Sequence, residues 1–414
     1  MAWRIYEGKT TAVSQVNKVT VAATTHANAS YKVKLTDETG EVITVVNYQT
    51  TAITSTSQVA KALTSSWNKS GLPNAAAITA ATTNATVKFT ADTAGAPFTL
   101  STCTSNGASL TPTGTTTSNS GPHVYNLAGN WQGGTAPAAN DDVRIPPGAP
   151  SILYGLANSA TSIDSFRVEE GYTGNIGGTD GGYLRIKMGT GEVFEFSGGG
   201  KSYIDMGGSD ISPIVSNTAA AAAGEHGLYF KGTAISNFYL KKGNVRFGED
   251  SDTTSRCDVF HVSFIDDTES DAHLTIGGAI SDVAGTSFSD INQTGGVVEA
   301  FPTGGLGTLT MTGGVFRLER GCGIAKASTI RGPGTLEHNS NGTVASLTIS
   351  DGASYLNEKD TRSKTVTSIT SKSDGVSIVD SFHKVNFGTG PVFDGVDHSE
   401  SRLNFGPNAT FSIS

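Results

Sequence analysis

From Leu274 onward the chain keeps returning to one device, a short apolar stretch closed by a glycine-bearing turn. The copies read Leu274-Thr-Ile-Gly-Gly278, Ile291-Asn-Gln-Thr-Gly-Gly296, Leu309-Thr-Met-Thr-Gly-Gly314, Ile330-Arg-Gly-Pro-Gly334, Leu347-Thr-Ile-Ser-Asp-Gly352 and Ile369-Thr-Ser-Lys-Ser-Asp-Gly375. Successive copies lie 17, 18, 21, 17 and 22 residues apart. A drifting period of ~19 excludes a strict hexapeptide or nonapeptide helix and suits an irregular β-solenoid with two or three short strands per turn. One turn has too little apolar surface to fold alone, but stacked turns align Ile, Leu, Val and Phe into a continuous core. Looser versions of the pattern run through Ser162–Val168, Tyr183–Met188, Val193–Phe196, Leu228–Phe230, Asn237–Leu240 and Val245–Phe247. A β-sandwich or jelly roll is the competing architecture, and the progressive drift favours the solenoid.

Composition agrees with that choice. Thr (54), Ser (44) and Gly (51) make up over a third of the 414 residues, and charged residues only 16%. The usual charged share is ~25%, so hydroxyls must wet the surface. Coiled coils and helical bundles are excluded, and so is charge-driven disorder at a net charge of -9. Three distant cysteines, Cys103, Cys257 and Cys322, spell neither a disulfide framework nor a zinc site. The N-terminus lacks a signal-peptide apolar region and no window is apolar enough to span a membrane. Synthesis in a reducing cytoplasm without export, and no membrane partner, are the expectations.

Residues 1–110 read as a small α+β domain. Tyr31-Lys-Val-Lys-Leu35 alternates with period two, Asp37–Gly40 turns, and Glu41–Tyr48 returns as a hairpin. Thr56 or Ser57 caps a helix whose Val59, Leu63 and Trp67 share one face, with Trp67 as core anchor. Ile78–Thr90 and Pro97–Ser101 read as two further strands. The Thr/Ser-rich stretch 111–127 reads as a linker. A cap over 128–160 starts the winding, the solenoid fills 161–385, and 386–414 break the repeat and close it. The first 120 residues carry a net charge of +3 against -12 in the rest, which suits docking of a basic head on an acidic protein surface. No basic run with interleaved aromatics suggests a nucleic-acid partner.

Two stretches carry a resemblance. Val42–Val46, the helix Gln58–Trp67 and the run Val87–Leu100 are similar to a small module of tailed-phage virion proteins. Asn130-Trp-Gln-Gly-Gly134, with Ala136-Pro137 and Asp141-Asp-Val-Arg-Ile145, resembles the opening of bacterial and phage parallel β-helices, in which Trp131 would pack over the first coil. The whole most resembles trimeric capsid cement (decoration) proteins with a β-helical spike. That resemblance implies a non-enzymatic homotrimer on the capsid exterior, its N-terminal domain clamping the major capsid protein and its solenoid free for weak glycan contact. A tail spike or fibre that binds or cleaves host polysaccharide is the competing reading; a bacterial surface adhesin comes third.

Candidate chemistry is thin. Counted from the turn glycines, Glu299 and Glu337 share one offset, Glu319 and Asp380 another, and Glu358 a third, so they could line one face. A glycosidase needs two carboxylates ~5–10 Å apart, yet aromatics for stacking sugars are limited to Phe301, Phe316 and Tyr355. The pairs Asp141/Asp142, Glu169/Glu170 and Asp266/Asp267 could hold Ca²⁺ but match no calcium loop and read as solvated turns. Eight scattered histidines offer no metal motif, and no phosphate- or dinucleotide-binding fingerprint stands in context. No catalytic residue, metal or cofactor is expected.

Overall fold

The computed structural model describes residues 2–404 except 23–27, 37–41, 52–54, 179–181, 217–224, 250–251, 264–271, 279, 282, 284–287, 303–304, 374, 390–391 and 395–401. The chain is mainly β, with a parallel solenoid of about ten turns following a small N-terminal sheet region. Each body has its own apolar core.

In the N-terminal body, strand Ser30–Thr36 buries Tyr31, Val33 and Leu35 on one side, as its alternation requires. It pairs antiparallel with Val42–Gln49 and Thr99–Thr104. The hairpin turn expected at Asp37–Gly40 lies outside the described residues. A second antiparallel sheet runs Ile78–Thr83, Thr86–Ala91, Val16–Ala22, Ser109–Thr117. Helix Thr56–Asn68 packs on both sheets through Val59, Ala60, Leu63 and Trp67. Its cap is Ser55, one residue before the expected start: Gln58 N–H donates to Ser55 Oγ (3.3 Å) and Ser55 N–H to Gln58 Oε1 (3.0 Å), a capping box. The Trp67 indole N–H donates to the Ile78 carbonyl at 2.8 Å, and its ring meets Phe89 edge-on at 4.9 Å.

Three expectations need correction here. Ile78–Thr90 is a hairpin, not one strand, turning where Asn84 takes a left-handed φ of 55°. The linker expected at 111–127 begins as sheet: Ser109–Thr117 pairs with Val16–Ala22, and Pro112 sits at a register shift that spares its missing N–H. Threonine is a good residue for an exposed edge strand, so composition alone misreads it as a hinge. Third, the chain does not begin in the α+β body. Trp3–Ile5 pairs parallel with Asp142–Ile145 and forms the first rung of the solenoid. The α+β body is therefore an insertion. Its outgoing and returning segments run antiparallel as a two-pass stem, with Val13 N–H donating to Ser120 O (2.8 Å) and Ser120 N–H to Val13 O (3.3 Å).

The cap below this stem is aromatic. Trp131 is buried between Tyr6 and Tyr125, edge-on to both at 5.0 and 5.1 Å, and its indole donates to Tyr125 O. Buried Asn130 ties both passes of the stem to the cap: its Nδ2 donates to Gly121 O and Val124 O, and its Oδ1 accepts from Thr10 N–H. Asp141 accepts from Arg4 Nε at 2.7 Å and from Ala138 N–H at 2.9 Å, locking the first strand to the second.

Beyond the cap, two stacks of parallel strands carry the core. In one, Leu228, Val245, Leu274, Val298, Phe316, Leu336, Tyr355 and Ile378 are successive register partners, all fully buried. In the other, Phe238, Phe260, Ile291, Leu309, Ser328, Leu347 and Ile369 align in the same way. The sequence repeat had the right period and two wrong members. Leu274 belongs to the first of these stacks, and Leu309 faces Ser328, two residues before Ile330. At the corner before Val315, Gly314 adopts φ +83°, and an added Cβ would lie 2.5 Å from Gly296 O, so only glycine fits. The described part of the closing segment expected at 386–414 continues the parallel stacking: Val385–Phe387 and Val392–Phe393 pair with Lys364–Ser371, and Arg402–Asn404 pairs with Ser377–Asp380; the rest lies outside the described residues.

Candidate functional site

Core positions in the first of these stacks alternate with a stripe on the opposite side of the sheet, in which Tyr203 and Thr275 are themselves covered. Through successive registers it reads Tyr203, Tyr229, Arg246, Thr275, Glu299, Arg317 and Glu337. The upper part is aromatic. Tyr203 and Tyr229 stack at 4.6 Å with an 11° tilt, and Tyr183 meets Tyr203 edge-on at 5.5 Å. Lys231 Nζ lies 4.1 Å from the Tyr183 ring centre and Lys201 Nζ 5.5 Å from that of Tyr229. Tyr183 Oη donates to Glu249 at 2.6 Å. Burial and that carboxylate push the Tyr183 phenol well above its ordinary range, so it stays a neutral donor. Tyr203 is buried between the other two rings, so what reaches solvent is the half-buried Tyr183 and Tyr229, flanked by amines and a carboxylate, where sugar hydroxyls can hydrogen-bond and a ring edge can stack.

The lower part is ionic. Arg317 bridges Glu299 (Nη1, 2.8 Å) and Glu337 (Nε, 3.1 Å), Lys359 adds to Glu337 at 2.8 Å, and His273 lies 3.4 Å from Glu299. The His273 ring beside it and the Arg317 guanidinium hold Glu299 down to about 2, against the opposing effect of burial. Burial opposes the shift at Glu337 too, yet Lys359 and Arg317 keep it below its ordinary range. A glycosidase acid must keep its proton near neutrality; these two carboxylates are tuned the opposite way, with a guanidinium between them.

The remaining sequence candidates scatter. Glu319 accepts from Asn339, whereas Asp380 turns into the solenoid core, so their shared offset does not put them on one face. Glu358 is exposed in a turn. Phe316 and Tyr355 are fully buried and out of reach of a sugar; Phe301 lies beneath the Arg320 guanidinium. Val59, Leu63 and Trp67 line the α+β core and Trp131 the cap. Glu169 pairs with Arg144, and Asp266/Asp267 lie outside the described residues. Among the described residues no three His, Cys, Asp or Glu side chains are grouped to hold a metal, and no helix is long and apolar enough to cross a membrane. The tyrosine stripe was missed because its members stand 20 and 26 residues apart and meet only through strand register.

Comparison with protein-family models, curated proteins and solved structures finds no match to this chain.

The inner face predicts an acid response. Burial above all pushes His338 down to about 3 from 6.5. The unfolded chain therefore binds a proton there that the folded chain refuses. That stabilisation is complete above about pH 6.5 and is lost as pH falls toward 3. Glu299 adds a second loss between its ordinary 4.5 and about 2. Calorimetry should show Tm falling steadily from about pH 6.5 to 4. His338→Gln, which keeps a donor for Gly342 O and an acceptor for Tyr355, should flatten that limb. A wild-type Tm constant over this range contradicts the assignment.

Proposed function

We propose that this chain is a non-enzymatic structural protein of a tailed-phage particle, a trimeric capsid cement protein whose inserted α+β body grips the major capsid protein while the solenoid projects outward. The supporting observation is the two-pass stem. A body carried on two hydrogen-bonded segments transmits load from a long projection without a single-chain hinge. The strand Val42–Gln49, which among the described residues pairs only with Ser30–Thr36, offers a gripping edge with Val42 and Val45 exposed. The outward charges support the non-enzymatic part, because neighbouring rungs neutralise them. Co-sedimentation of the purified protein with capsids stripped of it tests the reading: saturable binding at the three-fold positions is expected, and no binding overturns it.

The tyrosine stripe favours a second reading, a tail spike or fibre that binds host polysaccharide. Under it, a Tyr183→Ala/Tyr229→Ala double variant should lose binding to host-surface polysaccharide by ten-fold or more, on the order of 1.4 kcal/mol, with fold intact by circular dichroism. Unchanged glycan binding removes this reading.

A further inference from the structure

The solenoid core turns polar near its end. The inward column that holds Phe230, Phe247, Ile276, Ala300 and Leu318 continues as His338, and beyond it Asn357 lies opposite Asp380. Asn357 is fully buried, Asp380 is 2% exposed, and the Lys364 side chain reaches them from the next strand with no exposure. Lys364 Nζ donates to Asn357 Oδ1 (2.9 Å), Asp360 Oδ2 (2.9 Å) and His338 O (2.6 Å). Asn357 Nδ2 donates to Asp380 Oδ1 at 2.6 Å, and Asp380 Oδ2 is fixed by Val385 N–H. An amine thus touches a carboxamide oxygen, a carboxylate sits on the amine, and a second carboxyl sits on the nitrogen that would leave.

We infer that Lys364 and Asn357 join in an intramolecular isopeptide bond. Lys364 Nζ sheds its ammonium proton past Asp360, which stays ionised beside Arg362, and the freed electron pair forms a bond to Cγ of Asn357, one carbonyl length behind the contacted oxygen. A second proton passes from Nζ to the amide nitrogen, with Asp380 as the carboxyl that carries it. The Cγ–Nδ2 bond breaks with its pair on nitrogen, and the departing ammonia takes up the first proton and leaves as ammonium. Atoms and charge balance without oxidant or co-reactant. Burial lowers the Lys364 pKa and so favours the neutral, nucleophilic amine. Water, which would compete for the carbonyl, is excluded.

The bond ties strand Ser354–Asn357 to strand Lys364–Ser371 across the turn between them. Arg362 already clips that turn to earlier rungs through Asn339 O (2.6 Å) and Arg320 O (3.4 Å). A covalent staple here stops the last turns from unwinding, the characteristic weakness of a stacked solenoid.

The test is intact-mass and peptide mapping of the folded full-length chain. The expected mass is about 17 Da below the sequence value, the ammonia released. Trypsin should fail at Lys364 and yield a branched peptide, in which the stretch ending at Lys359 is joined through Asn357 to the stretch Ser363–Lys372. Asp380→Asn should restore the full mass while circular dichroism stays β-rich. Full mass in the wild type, with normal cleavage at Lys364, overturns the inference. So does a 17-Da loss mapped to another asparagine, such as a succinimide at Asn341. A cross-link undiminished in Asp380→Asn removes Asp380 from the mechanism. The wild-type peptide map decides the bond even if that variant fails to fold.

Discussion

Under the proposed capsid role, excising residues 14–119 and joining Val13 to Ser120 through an Asn-Gly turn is expected to leave a folded solenoid that does not attach to capsids. Val13 and Ser120 already exchange both backbone hydrogen bonds, the geometry that a two-residue hairpin turn closes. Trp3–Ile5, Tyr6, Tyr125 and Trp131 all remain, so the first rung and its aromatic cap are untouched. The two apolar cores are separate, and removing one exposes little of the other. Circular dichroism should stay β-rich with Tm within a few degrees, while co-sedimentation drops to background. Retained attachment would place the gripping surface on the solenoid and refute the division of labour. Collapse of the solenoid would show that the two bodies fold as one.

Phe316→Ala should be strongly destabilising. Phe316 is fully buried with Val298 and Leu336 as its register partners on either side. Truncating a buried aromatic typically costs about 3–5 kcal/mol, the transfer term plus the cavity. In a solenoid each rung is stabilised by its neighbours alone, so the damage should be local. Denaturant titration should show a loss on that scale, and hydrogen exchange should rise in strands Val297–Ala300 and Thr335–Ser340 but not in Ser30–Thr36. A loss below about 1 kcal/mol, or exchange rising equally in the α+β body, contradicts the stacking described.

The architecture was legible because its physics repeats: apolar strands, glycine corners, hydroxyl-rich exteriors. Register was less so. Ser328 occupies an inward position that an apolar residue would normally take, satisfied by accepting from Leu309 N–H and donating to Lys326 O. Reading by hydrophobicity slides the match two residues to Ile330, and a two-residue slip leaves every side chain on its proper face. Leu274 was misassigned because both stacks present the same short apolar strand before a glycine. Trp3–Ile5 was missed because three residues carry no periodicity. The candidate surface and the Lys364–Asn357–Asp380 cluster were the least visible: the first is assembled by register between distant residues, and in the second only the burial of neighbouring polar residues, and the rung that brings in Asp380, reveals the contact. Once the strands are aligned, polar residues at inward positions give the signal that finds the cluster.

The most direct measurement of the central claim is the number and position of copies on the intact particle, by quantitative mass spectrometry against the major capsid protein together with cryo-electron microscopy. The cement reading requires hundreds of copies, with α+β bodies at three-fold positions of the capsid shell and solenoids pointing outward. A handful of copies confined to the tail would contradict it.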